Sequence, residues 1–171
     1  MTRILVLTWG NPSRGDDALG PELARRLETA SAERWGSSVE ILTDFQLQPE
    51  HAADLDGRDL VLFADASIRT DPPFSFARVV PAADASFTSH AMSAAAVLAA
   101  FTAAFGREPP PAWLVEIRGD AFELGDPIGA SAAVNLEAAV AFALRLLDAP
   151  SPAAWDAAAA QQGCSAPRGC E

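Results

Sequence analysis

The chain has 171 residues, half of them hydrophobic, enough for one domain with a real core and too few for two. Its 12 basic and 23 acidic residues give a net charge of −11, which excludes nucleic acid and anionic membrane surfaces as expected partners. No apolar run approaches the roughly 20 residues that cross a bilayer, and the amino terminus does not read as a signal peptide, so a cytoplasmic protein is expected.

Residues 3–9, "RILVLTW", form a continuous apolar run of strand length, the pattern of a strand buried on both faces. Leu19, Leu23 and Leu27 then recur at helical spacing, with Arg25 and Arg26 on the outer side. Two further strands are expected at 38–45 and 58–66, separated by a short helix in "QPEHAADL" where Pro49 suits the first turn. Only "SIRTDPP" separates the third strand from the next, at 74–80. A parallel crossover needs about a dozen residues, so this fourth strand should run antiparallel at an edge.

An alanine-rich helix is expected over 89–105, a fifth strand over 112–119 and a closing helix over 131–148. From 149 onward, proline, alanine and glycine dominate. Residues 149–171 therefore read as a flexible tail with a docked turn near Trp155, leaving a domain over 1–148. Cys164 and Cys170 read as free thiols of that tail, with transient metal binding as the alternative. The expected fold is a three-layer α/β/α sandwich around a five-stranded, mostly parallel sheet with one antiparallel edge strand.

In such sheets the functional crevice lies beyond the carboxyl ends of the strands. Asp16 and Asp17 follow the first strand in "GNPSRGDDALG", Asp44 ends the second, Asp65 ends the third, and His90 opens the helix after the fourth. Converging carboxylates need a cation, a shared proton or a cationic substrate group, and two carboxylates with an imidazole suit a divalent transition metal. Plainer readings stand beside these. Asp16 reads as a helix N-cap, leaving Asp17 free to face the crevice. Asp65 could simply make a turn, and His90, after Thr88 and Ser89, could be an ordinary surface histidine. His51 and Glu50 read as solvated. Gly10, Asn11 and Gly15 fit a tight loop braced by the Asn11 side chain. The loop "GDAFELGDP" (119–127) is either a plain connection or a substrate contact.

The sequence has no G-x-S-x-G elbow and no H-E-x-x-H helix, and its glycine loop matches neither a dinucleotide fingerprint nor a P-loop. Asp44 does imitate the ribose-binding acid of a dinucleotide domain, so a Rossmann-type nucleotide-binding module is one alternative.

"RILVLTWGNPSRGDDALGPELARRL" resembles the amino-terminal motif of the nickel-iron hydrogenase maturation endopeptidases, a strand followed by a G-x-G-N-P-x-x-x-D-D/E-x-x-G loop. "LVLFADA", "TSHAMS" and "RGDAFELGDPIGASAAV" are similar to later pieces of that family in the expected order, nearly covering residues 1–148. The resemblance implies a protease that trims a carboxy-terminal peptide from the large subunit of a nickel-iron hydrogenase after nickel insertion. It matches Asp17, Asp65 and His90 to the family's metal-contacting and catalytic residues, with nickel arriving in the substrate rather than held permanently. Gly10, Asn11, Asp44 and Gly119 are then the candidate substrate contacts. Two departures stand out: Thr8 replaces the usual first glycine and is followed by Trp9, and "DFQLQPEHAADL" lacks a common glycine pair, resembling a subgroup associated with soluble, cytoplasmic hydrogenases. A monomer fits an enzyme that engages one large folded partner. A non-catalytic, nickel-dependent checkpoint for the same subunit would share every one of these features.

Overall fold

Five strands align in the order β2-β1-β3-β5-β4: β1 Ile4–Trp9, β2 Val39–Asp44, β3 Leu60–Ser67, β4 Phe74–Val79 and β5 Ala112–Arg118. The structure is a computed structural model and describes residues 1–83 and 92–164. All neighbouring pairs are parallel except β4–β5, as the short β3–β4 connection requires. Every residue of β1 is buried, which explains its unbroken apolar sequence at the centre of a sheet covered on both faces.

Helices α1 (Leu19–Arg34), α3 (Ala130–Asp148) and α4 (Pro152–Cys164) share one face with Val6, Leu62, Val115 and Phe76. Helix α2 (Ala94–Phe105) and a short 3-10 segment, Pro49–Leu55, cover the other face, where Leu5, Leu7, Trp9 and Phe63 pack against Val97 and Phe101. The molecule is the three-layer α/β/α sandwich expected.

Two elements depart from expectation. Helix α2 begins at Ala94 rather than at residue 89, because the Ser93 side chain accepts the Ala96 N–H (3.1 Å) and caps it there; residues 89–91 lie outside the described residues. The segment read as a flexible tail holds α4, whose Trp155 is fully buried. Its indole N–H donates to Leu146 O (3.0 Å) and its ring meets Trp113 edge to face at 5.0 Å. Asp156 then pairs with Arg78 on β4 and accepts the Trp113 N–H. One aromatic anchor turns an alanine-rich stretch into a docked helix. Helix α3 is long and apolar enough to span a bilayer by length and composition, but it packs on the sheet through Leu136, Phe142 and Leu147.

Candidate active site

The loop after β1 turns sharply where Gly10 takes φ +142°, and a Cβ there would lie 2.0 Å from Asp17 O. Only glycine permits that approach. Asn11 accepts the Ser13 N–H on its side-chain oxygen (2.9 Å), while its own N–H donates to Asp17 Oδ2 (2.9 Å). The loop therefore orients the half-buried Asp17 carboxylate directly.

Asp16 points the other way. It caps no helix; it is buried, and its carboxylate accepts N–H groups from Asp120 (2.7 Å), Ala121 (3.0 Å) and Gly129 (2.8 Å). Burial alone would raise its pKa, but these three donors hold it below the usual carboxylate range. The backbone adds Gly15 N–H to Asp126 O and Gly125 N–H to Ser13 O. The late glycine loop is thus tied to the first one. Gly119, expected as a substrate contact, is buried, and a Cβ on it would lie 2.7 Å from the Asp16 Cβ. It permits this junction.

Four side chains form a row across the carboxyl end of the sheet. Trp9 pairs with Asp44 and Asp65 with Glu116 in the parallel registers, and Trp9 and Asp65 each follow the paired Thr8 and Ala64. Alternation along each strand puts the row Asp44, Trp9, Asp65, Glu116 on the α2 face. Asp65 is half-buried, and Ala66 N–H donates to its Oδ1 (2.8 Å). Burial pushes its pKa up to about 7, and the negative charges of Asp17 and Glu116 push the same way. The Ala66 N–H and the Trp9 indole oppose that rise without cancelling it. Asp17 and Asp65 are thus within electrostatic reach of each other, from different strands.

His90 lies outside the described residues. Among the described residues no three His, Cys, Asp or Glu side chains group as a metal site. The arrangement nevertheless offers a carboxylate, Asp17, next to a carboxyl that titrates near neutrality, Asp65.

Some of this was missed in the sequence. Glu116 is the lone acid of β5 and its one charged residue before the terminal Arg118, a signal available beforehand. His51, read as solvated, has a side chain only 13% exposed, with Nε2 3.2 Å from Asp44 Oδ2. Trp9 is nearly buried, packs on Phe63 and reaches Asp65, filling the crevice floor where Thr8 and Trp9 depart from the family pattern.

No family model matches the sequence, and no curated protein does. Solved structures do match. The hydrogenase maturating endopeptidase HybD from E. coli is 26% identical with a TM-score of 0.67, covering 85% of this chain and 92% of that one. A solution structure of an endopeptidase from Escherichia coli is also 26% identical, with a TM-score of 0.64 over the same shares. The [NiFe] hydrogenase maturation protease HycI from Thermococcus kodakarensis KOD1 shares the fold at 22% identity, with a TM-score of 0.64 over 85% of this chain and 92% of its own. The fold is that of solved α/β maturation endopeptidases. Its structural relatives are hydrogenase maturation endopeptidases, matched over most of this chain.

Proposed function

We propose that the chain is an endopeptidase that removes a carboxy-terminal peptide from the large subunit of a nickel-iron hydrogenase once nickel is in place. The observation that carries this reading is the half-buried Asp65, whose carboxyl is pushed up to about 7 by burial and by the Asp17 charge and so suits a group that both takes and gives a proton at neutral pH. Asp17, Asp65 and His90 are the proposed catalytic and metal-contacting residues; Gly10, Asn11 and Asp44 line the approach of the tail. The nickel belongs to the substrate, where it supplies a Lewis acid beside the scissile bond.

In this chain's own terms, the Gly10–Asn11 turn orients Asp17, and Trp9 excludes water from one side of Asp65. Asp65 in its ionised form accepts a proton from the attacking water and, once protonated, delivers it to the leaving amine. Asp17 remains an acceptor, aligned by the Asn11 N–H. The setting proposed is cytoplasmic, with the protein acting as a monomer.

Mass spectrometry of a nickel-loaded large-subunit precursor, incubated with the protein, tests the reading. The precursor should shorten at a single bond, and Asp17→Asn and His90→Ala should each leave it intact. An uncut precursor that nevertheless binds the wild-type protein would show a checkpoint without protease activity.

A further inference from the structure

His51 has no role above, yet its contact with Asp44 is geometrically specific. Gln48 N–H donates to His51 Nδ1 at 2.9 Å, which requires a lone pair there. The neutral ring is therefore the tautomer protonated at Nε2, and that N–H points at Asp44 Oδ2, 3.2 Å away. Asp44 Oδ1 accepts the Phe45 N–H at 2.6 Å. The carboxylate is held from both sides although its side chain is 42% exposed. It lies on the wall of a pocket of about 240 Å³ lined by Gly10, Pro12, Pro21, Thr43 and Phe45. This pocket adjoins the loop that orients Asp17. Its walls are mostly apolar, Asp44 supplies their one charged group, and Phe45 is 65% exposed.

We infer that His51 is a positioning residue. It fixes Asp44 so that the remaining lone pairs of the carboxylate receive an N–H donor of the substrate chain, while the two prolines and Phe45 pack against the apolar part of the same residue. This rests on the endopeptidase reading. An acid free to rotate would lose that alignment, and binding would suffer while the chemistry at Asp65 would not.

A bland alternative is that His51 only caps the 3-10 segment. Two substitutions separate these roles, because asparagine places an amide near the Nδ1 position and glutamine places one near Nε2. His51→Asn keeps an acceptor for Gln48 N–H and loses the Asp44 contact; His51→Gln keeps a donor to Asp44 and loses the cap. Measured on precursor cleavage, His51→Asn should raise KM about tenfold with kcat within about twofold, as expected for lost binding alone. His51→Gln should restore KM even where Tm falls, and in an Asp44→Asn background the effect of His51→Asn should disappear. An unchanged KM in His51→Asn, or a KM that tracks Tm across both variants, overturns the positioning role and leaves the protease reading standing. A wild-type protein that cuts no precursor overturns both.

Discussion

Asp65 on β3 and Glu116 on β5 occupy paired register positions, so two acids stand side by side on one face of adjacent strands. With burial and the Asp17 charge, this arrangement lifts the Asp65 carboxyl to about 7. An unfolded aspartate titrates near ~3.9. Between those values the native state binds more protons than the unfolded chain, so stability falls as pH rises from about 4 to 7. Asp65→Asn removes that cost. Urea unfolding should show the variant more stable than wild type at pH 8, by on the order of 1–3 kcal/mol, and the gap should close near pH 4. A variant less stable than wild type at pH 8 would mean that the carboxylate is well solvated there.

The opposite sign is expected at Asp16. Its pKa is held low by three backbone donors, so its contribution is present above the ordinary carboxylate range and is lost as pH falls through its native value. Asp16→Ala strands those donors and should cost about 3 kcal/mol or more. Hydrogen exchange should quicken at the Asp120, Ala121 and Gly129 amides; unchanged protection there would show that the loop is braced by other contacts.

Gly20 lies in the first turn of α1, where alanine would ordinarily favour the helix by about 1 kcal/mol. Here a Cβ would sit 2.3 Å from Trp9 O and 3.3 Å from Ala64 O. Gly20→Ala should therefore destabilise the protein by about 2 kcal/mol or more despite the helical gain. Thermal unfolding of the variant decides it, and a raised Tm would contradict the close packing of α1 on the sheet.

Trp155→Ala should cost about 3–5 kcal/mol, the range for emptying a large aromatic site. The same change should detach α4, seen as faster proteolysis after residue 149. A loss below 1 kcal/mol would return this segment to the role of a tail.

The sheet was legible because each of its strands carries a local sign: an unbroken apolar run for β1, a connection too short to cross over before β4. The placement of Asp17 and Asp65 at the carboxyl end of the sheet was likewise visible, since one follows a strand and the other lies near the end of one. Partnerships spanning more than a hundred residues were not. Asp16 and its three donors are 104 to 113 residues apart, and nothing in "GDDA" says which aspartate turns inward. Helix α4 was hidden by composition, because its stability comes from one indole and one ion pair rather than from an apolar stripe. His51 looked solvated because its neighbours Glu50 and Asp54 are acidic, while its true partner ends the preceding strand.

A sheet edge left bare invites a foreign strand to add itself. At β4 the apolar face carried by Phe74 and Phe76 is roofed by α3 and α4, with Arg78 clasped to Asp156. A visiting extended chain would have to slide beneath that roof to be sheltered there. The two helices thereby cover the apolar face of this edge strand, so an added strand would find no exposed Phe74 or Phe76 to pack against.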